Sequence, residues 1–258
     1  MARRVKPSQL VEANRLVADG FVNVYRIDEH TVAKVCNQRR LAEAHAMQLV
    51  REKTSVPVPK VYNAYVDEST SRGVIVMEYV KGDVLRDVWD KLNLAQRQRI
   101  IAQLQSYMNE VRGIKGHFIG SVDGTACDDP VFCAELGGFG PYKTEREFNE
   151  GMIRAMKLSQ DNTWVEHVAR LVRAMPSHEI VLTHSDFAPR NILVRGDEVV
   201  AILDWEMAGF YPAYWEYVKA LYHPDWQGGW IADAAVEKIL NPYHLEHAVL
   251  LHVQGVVW

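Results

Sequence analysis

The stretch HSDFAPRN at His184–Asn191, followed by DWE at Asp204–Glu206, is the most informative part of this 258-residue chain. It places an aspartate, an asparagine five residues later, and a second aspartate beyond a predicted hairpin. Phosphoryl transfer uses this residue set, because one carboxylate can accept the proton of an attacking hydroxyl while an amide and a second carboxylate hold Mg²⁺. A lone Asp or Asn in a loop is more often a turn residue. The joint spacing, with apolar runs on both sides, therefore predicts a phosphoryl-transfer loop.

These two motifs resemble the catalytic and metal-binding loops of the aminoglycoside phosphotransferase family, a branch of the protein-kinase-like fold. The segment Tyr211–Ala220 is similar to the segment after the metal-binding loop in fungal members of that family, and the resemblance extends roughly from Gly20 to Ala220. It implies an α+β, bilobal protein-kinase-like fold, with a small N-terminal antiparallel β-sheet lobe and a larger, mainly helical C-terminal lobe. We expect a nucleotide-binding lobe over residues 1–80 and a catalytic and acceptor-binding lobe over residues 81–258.

Composition favours an intracellular enzyme. Hydrophobic residues make up 48% of the chain and charged residues 24%, and the formal net charge is -4, so no basic surface for nucleic acid or anionic membrane is expected. The basic residues at the N-terminus are followed by Pro7 rather than by an apolar run, which argues against a secretory signal. Cys36, Cys127 and Cys133 are odd in number and lack metal-type spacing, so we expect reduced thiols and a cytoplasmic location. The oligomeric state is left open.

Lys34 is the candidate phosphate-binding residue of the small lobe. It lies in a predicted strand, Thr31–Val35, that follows the strand Phe21–Ile27. From the residues alone, a lysine on an edge strand that faces solvent is an equally good interpretation. The resemblance implies that Lys34 contacts the α- and β-phosphates. It also implies a glutamate partner on the next predicted helix, Arg39–Val50, with Glu43 as the candidate and Glu52 as the alternative.

Two further segments are assigned to the nucleotide by the resemblance. Kinase-like folds often cover the phosphates with a glycine-rich loop, but the corresponding segment here, Ala18–Val24, has Gly20 as its one glycine. Gly73–Gly82 is predicted to be a buried strand that runs into a linker. The resemblance makes it the hinge between the lobes. Met77, Glu78, Tyr79 and Val80 are then the candidate residues, with the backbone of Glu78–Val80 bonded to the adenine edge. A plain core strand with a turn is compatible with the same residues.

The roles in the large lobe follow from the chemistry of each side chain. Asp186 is the candidate base for the acceptor hydroxyl, and Asn191 and Asp204 are the candidate Mg²⁺ ligands, since Mg²⁺ prefers oxygen donors. His184 is expected to brace the loop. Arg190 is expected to pair with Asp186, with contact to the γ-phosphate as the alternative. Glu206 could reach a second metal or cap the following turn.

Other features of the large lobe carry weaker signals. Apolar spacing predicts helices over Asn93–Val111, Glu145–Leu158 and Thr163–Ala174, a strand over Ile180–Thr183 and a hairpin around Gly196–Asp197. Three acidic residues lie in a predicted loop: Asp128, Asp129 and Glu135. They could attract a cationic acceptor, but solvated turn residues are the favoured interpretation. The aromatic residues after Tyr211 could line a pocket or, as the favoured interpretation, pack helices.

The sequence therefore predicts an enzyme that transfers the γ-phosphoryl group of ATP, with Mg²⁺, to a hydroxyl of a small molecule. Two alternatives stay open. One is a kinase fold turned to non-phosphoryl chemistry on a small natural product, which the single glycine of the phosphate loop motivates. The other is a binding protein that holds a nucleotide or metabolite without turnover. The acceptor, and the choice between ATP and GTP, are not predicted.

Overall fold

A five-stranded antiparallel sheet forms the small lobe. The computed structural model describes residues 4–19, 22–129, 140–222 and 224–257. The strands lie in the order β1-β2-β3-β5-β4, so the strand that carries Lys34 is central. Lys34 lies opposite Val24 on one side and Ile75 on the other, and this excludes the edge-strand interpretation. The strands are β1 (Arg15–Asp19), β2 (Val22–Asp28), β3 (Thr31–Cys36), β4 (Val61–Asp67) and β5 (Arg72–Glu78).

Helix α1 (Ala42–Lys53) packs across the boundary between the lobes. It follows a 3-10 turn, Gln38–Leu41, which begins where the side chain of Asn37 accepts a hydrogen bond from the Arg39 amide. Its apolar face, which includes Met47 and Val50, belongs to the same buried cluster as Trp205 of the large lobe. The helix predicted over Arg39–Val50 is thus present, and its packing holds Glu43 against the large lobe. The division of the chain at residues 80 and 81 stays a prediction.

The large lobe is mainly helical. Two three-stranded sheets, in the orders β10-β9-β6 and β7-β11-β8, carry the loops of interest. The strands are β6 (Asp83–Val84), β7 (Gly120–Ser121), β8 (Ile180–Thr183), β9 (Ile192–Arg195), β10 (Glu198–Ile202) and β11 (Gly209–Pro212). The helices are α2 (Leu85–Val88), α3 (Leu94–Gly113), α4 (Glu145–Ser159), α5 (Thr163–Ala174), α6 (Trp215–Ala220), α7 (Gly229–Ala232), α8 (Ala235–Ile239) and α9 (His244–Val257).

The predicted helices of this lobe are present, and capping side chains explain where they begin. Asn93 and Gln96 form a reciprocal capping box at the start of α3, and Thr144 and Asn162 cap α4 and α5. The small antiparallel sheet and the helical second lobe confirm the predicted fold class. None of the described helices is long and apolar enough to cross a bilayer.

Several C-terminal aromatic residues pack in the core, and one of them also lines a cavity. Tyr211, Tyr214 and Trp215 are fully buried in the second apolar cluster, where Trp215 stacks on Tyr211 with ring centroids 5.4 Å apart. Trp230 packs edge-on against Trp89 and also lines a cavity. The packing interpretation therefore holds for these four residues, and Trp230 borders the cavity as well.

Several sequence predictions fall outside the described residues. These are the ones that concern Gly20, Cys133 and Glu135. Cys36 and Cys127 are buried free thiols, and burial raises the pKa of these thiols to about 11 and about 12 respectively. Buried thiols with raised pKa values are unreactive, so these two cysteines are structural.

A buried cluster of polar side chains connects α4, the residues before β8, and α9. The ring nitrogens of His178 lie 3.0 Å from Glu145 Oε1 and 3.2 Å from Glu246 Oε1, and all three side chains are nearly inaccessible to solvent. The His178 amide donates to Glu145 Oε2 as well, at 2.6 Å. The two ring nitrogens of His178 thus contact one carboxylate each.

We predict that His178→Ala lowers the free energy of unfolding by about 1–3 kcal/mol, since it leaves oxygens of two buried carboxylates without the ring nitrogens that contact them. Urea unfolding followed by circular dichroism measures the loss. The matched control is Arg173→Ala, which breaks the exposed Arg173–Glu150 pair and should cost about 1 kcal/mol or less. Equal losses in the two variants would contradict the prediction.

Candidate active site

The catalytic loop leaves strand β8 and is anchored by a buried carboxylate. Ser185 has a φ of 67°, which is uncommon for a residue with a side chain. The amides of His184 and Ser185 donate to Glu216, at 2.6 and 3.1 Å, and this glutamate of α6 is fully buried. Burial raises the pKa of Glu216, and the two amides that donate to it and the nearby Arg112 act in the opposite direction. Glu216 thus compensates for an uncommon backbone conformation directly before Asp186.

His184 braces the loop, as predicted from the sequence. Its Nδ1 accepts a hydrogen bond from the Asp186 amide at 3.1 Å, and its Nε2 lies 2.9 Å from the carbonyl of Leu203. A neutral ring with the proton on Nε2 satisfies both contacts. The ring also packs against Trp205, with centroids 4.5 Å apart. His184 therefore joins the loop that carries Asp186 to the turn that carries Asp204.

The side chain of Asp186 is held on both oxygens. Oδ1 is ion-paired with Arg190, and Oδ2 accepts a hydrogen bond from Asn191 Nδ2 at 2.7 Å. The same Nδ2 donates to the Asp186 carbonyl at 2.9 Å, so the amide oxygen of Asn191 is directed away from Asp186. The Arg190–Asp186 pairing matches the first of the two roles considered for Arg190.

The hairpin of β9 and β10 returns Asp204 to Asn191. The Leu203 amide donates to the Asn191 carbonyl at 2.7 Å, which brings the two predicted metal ligands to neighbouring positions. Asp204 itself has a left-handed backbone, with φ 64° and ψ 60°. Its side chain is 38% exposed, whereas those around it are nearly closed to solvent. Asp204 is consequently the carboxylate of this group that a ligand can reach.

Lys34 lies at the centre of a cluster of three carboxylates. Its Nζ is 2.7 Å from Glu43, 2.7 Å from Asp204 and 2.9 Å from Glu206. The Lys34–Glu43 pair expected from the resemblance is thus present. Oxygens of the three carboxylates lie within 4.8 Å of one another, a spacing that a divalent cation could bridge.

The protonation of this cluster follows from burial and charge. Burial opposes the charge on Lys34, but Glu43, Asp204 and Glu206 outweigh it, so the pKa of Lys34 lies well above its ordinary value. Burial raises the pKa of Glu43 to about 7, although Lys34 acts in the opposite direction. For Asp204, the attraction of Lys34 outweighs burial, and the pKa is lowered. Asp204, the more exposed of these two carboxylates, is therefore more firmly ionised than Glu43.

Arg40 extends the cluster from the turn before α1. Its Nη1 lies 2.6 Å from Glu206 Oε1, and its Nε lies 3.6 Å from Asp128 Oδ2. Glu206 therefore faces two cations, Lys34 and Arg40, in place of capping the turn that follows it.

The hinge backbone has one free amide in the described chain. The amides of Glu78 and Tyr79 donate to the carbonyls of Lys60 and His30, each at 2.9 Å. Within the described ranges, the Val80 amide donates to no other backbone group. Met77 packs on the main apolar cluster. Of the four predicted hinge residues, Val80 offers the backbone donor for a ligand.

A cavity of about 290 Å³ opens beside Asp186 and Arg190. Lys219 lies in its wall, 3.0 Å from the buried Asp129 and 4.4 Å from the ring centroid of Tyr222. Asp129 is thus neither the solvated turn residue that the sequence favoured nor an exposed acceptor ligand. The walls also include Trp89, Asp90, Asp225 and Trp230.

Comparison with known proteins identifies the family of this chain. The model of the phosphotransferase enzyme family (APH) matches residues 14–246, which is most of the chain. The chain belongs to the phosphotransferase enzyme family. Both motifs that carried the resemblance lie inside the matched range, and the family predicted from them is confirmed. The comparison with curated protein sequences gives no match.

Solved structures with this phosphotransferase fold include two aminoglycoside phosphotransferases. A thermostable mutant of APH(4)-Ia, in ternary complex with AMP-PNP and hygromycin B, is 17% identical, with a TM-score of 0.62 over 94% of this chain and 86% of that one. The streptomycin–ATP–APH(2'')-IIa ternary complex is 15% identical, with a TM-score of 0.59 over 94% of this chain and 80% of that one. At these identities the likeness shows the fold alone.

Three charged residues of this phosphotransferase were not predicted from the sequence: Arg40, Lys219 and Glu216. Arg40 and Lys219 gave no signal that separates them from solvated residues. Glu216 did carry one, because it stands in the short aromatic segment Tyr214–Val218, where an unpaired charge would be expensive to bury.

The raised pKa of Glu43 predicts how stability depends on pH. Between pH 4.5 and about 7 the unfolded chain loses the Glu43 proton while the folded protein keeps it. The free energy of unfolding of the ligand-free wild type, relative to Glu43→Gln, should therefore fall as pH rises through this window, by on the order of 3 kcal/mol. Urea unfolding of both proteins at several pH values measures this. A constant difference would contradict the raised pKa.

Proposed function

We propose that this phosphotransferase transfers the γ-phosphoryl group of ATP to a hydroxyl group of a small molecule. One observation carries the proposal: Asp186, Asn191, Asp204 and Lys34 form one connected group, although Lys34 lies 170 residues from Asp204 in sequence. Phosphoryl transfer requires a protein to supply a proton acceptor, two oxygen ligands for a metal ion, and a cation for the phosphates.

Asp186 is proposed as the base. Both of its oxygens are held, by Arg190 and by Asn191, so the carboxylate is oriented before any acceptor arrives. As the acceptor oxygen attacks the γ-phosphorus, Asp186 takes the hydroxyl proton and the bond to the ADP leaving group breaks. Asp186 also borders the cavity, and this supports the proposal that the acceptor binds there.

Asn191 and Asp204 are proposed as the ligands of Mg²⁺. The donor set fits the ion, because both offer oxygen atoms, the amide oxygen of Asn191 is directed away from Asp186, and Asp204 is ionised and partly exposed. When bound, Mg²⁺ would neutralise charge on the nucleotide phosphates. Glu206 is close enough to join this group, but its two cations already hold it.

The remaining nucleotide contacts are proposed for the small lobe. Lys34 would contact the α- and β-phosphates, with Glu43 as the residue that orients it. The adenine edge would meet the backbone at Val80, whose amide makes no other backbone bond in the described chain. ATP occurs in the APH(2'')-IIa complex and AMP-PNP in the APH(4)-Ia complex, which favours an adenine nucleotide here as well.

The acceptor is proposed to be small and polar. A cavity of about 290 Å³ lies at the lower end of the range for ligand pockets, roughly 300–1,000 Å³. Its walls combine the indoles of Trp89 and Trp230 with the carboxylates of Asp90 and Asp225. Hygromycin B and streptomycin occur in the related structures, but identities of 17% and 15% are no argument that they fit here.

The deciding experiment measures ADP release with ATP, Mg²⁺ and a panel of hydroxylated metabolites. Thermal shift with ATP or GTP, with and without Mg²⁺, precedes it, because a ligand that binds the folded state raises the melting temperature. ADP release with at least one acceptor would support the proposal. A magnesium-dependent shift without ADP release would favour a binding protein, and acceptor conversion without nucleotide would favour non-phosphoryl chemistry.

Asp186→Asn should lower kcat about 10²–10⁴-fold, which is the usual contribution of a positioned acid or base. The thermal shift with Mg-ATP should be retained, since the base is not a nucleotide ligand. The matched control is Asp197→Asn, in the β9–β10 turn, which should leave kcat unchanged. Full turnover by Asp186→Asn would remove the proposed base.

Asp204→Asn should abolish the magnesium-dependent part of the nucleotide thermal shift, because it removes the ionised ligand of the proposed metal pair. Titration of the shift with MgCl₂ at a constant ATP concentration measures this. An unchanged magnesium dependence would show that Asp204 is not a ligand.

A further inference from the structure

Lys34 cannot contact a phosphate without giving up a contact that it makes now. Its ammonium group has three N–H bonds, and three carboxylates lie within 2.9 Å of its nitrogen. Glu43 is fully buried behind it, and Asp204 is the proposed metal ligand. Glu206 is the one of the three with a second cation in contact, namely Arg40 at 2.6 Å.

We propose that Arg40 is a positioning residue that holds Glu206 while Lys34 turns to the nucleotide phosphates, and that Asp128 weakens this hold. The proposal rests on the nucleotide site proposed above. Without Arg40, Glu206 would compete with the phosphates for Lys34, so nucleotide binding would be weaker. Without the Asp128 carboxylate, Glu206 would be the one carboxylate of the described chain within ion-pair distance of Arg40, and nucleotide binding would be tighter.

The position of Asp128 is set by its neighbours. The side chain of Asp129 is fully buried and lies 3.0 Å from Lys219, and Cys127 is buried as well. Asp128 therefore stays near Arg40 although half of its own side chain is exposed. Its distance from Arg40, 3.6 Å, is longer than the 2.6 Å from Arg40 to Glu206, so the Glu206 contact is the stronger of the two.

Opposite signs for two variants separate this role from a packing role. Removal of either Arg40 or Asp128 disturbs the contacts among Arg40, Asp128 and Glu206. A purely structural effect would therefore lower nucleotide affinity in both variants. Here the removal of the cation and the removal of the nearby anion should move nucleotide affinity in opposite directions, since the bound nucleotide is itself an anion.

The test is isothermal titration calorimetry of Mg-AMP-PNP with wild type, Arg40→Gln, Arg40→Lys, Asp128→Asn and Arg39→Gln, at low ionic strength. Arg40→Gln should weaken binding by about 10-fold, as expected for the loss of a charge-assisted contact. Arg40→Lys should recover part of this loss. Asp128→Asn should tighten binding by about 3-fold. Arg39→Gln is the matched control, since it makes the same charge change one residue away on an exposed side chain.

Melting temperatures of the ligand-free variants show whether each one is folded. Wild-type affinity in Arg40→Gln, or equal losses in Arg40→Gln and Arg39→Gln, would overturn the proposal, as would weaker binding in Asp128→Asn. The absence of binding in the wild type would instead overturn the nucleotide site itself, so the two failures are distinguishable.

Discussion

The ion cluster around Lys34 is the interaction on which the arrangement of the two lobes depends. A lysine in the central strand of a sheet is expensive to bury without partners, and a buried pair that loses one member is strongly destabilised. The partners of Lys34 come from α1 and from the turn after β10, which lie in different parts of the chain. The sheet, the helix and the turn therefore meet at Lys34. The proposed phosphate-binding residue thus also contributes, with the apolar face of α1, to joining the lobes.

Two residues with uncommon backbone conformations belong to the proposed site. One directly precedes the proposed base, and the other is the proposed metal ligand itself. Ser185 and Asp204 both have positive φ angles, and neither is a glycine. Such residues persist where the surroundings hold them, at a cost on the order of 1–3 kcal/mol each. Glu216 holds the first through two amides, and Lys34 holds the second through its carboxylate. Buried charge thus fixes the geometry that the proposed chemistry needs.

How much could be predicted from the sequence depended on how local each signal was. Asp186, Asn191 and Asp204 lie within one loop and one hairpin, so spacing alone placed them together. Lys34 could not be assigned to a central or an edge strand, because the order β1-β2-β3-β5-β4 is set by pairing between distant segments. Arg40 and Lys219 look like solvated residues in the sequence, since their partners Glu206 and Asp129 are distant and only the fold brings them near.

The side chains that hold the proposed base differ from those that form the far walls of the cavity, and this bears on acceptor specificity. Asp186 is held by Arg190 and Asn191 of its own loop, whereas the far walls of the cavity include Tyr222, Asp225 and Trp230. Substitutions at Trp230 or Asp225 can therefore change which acceptor fits without moving the base or the metal ligands. Asp129 is the exception, because its partner Lys219 lines the cavity while its neighbour Asp128 contacts Arg40. Lys219 in the cavity wall and Arg40 beside the proposed nucleotide site therefore contact two neighbouring residues of the chain, Asp129 and Asp128.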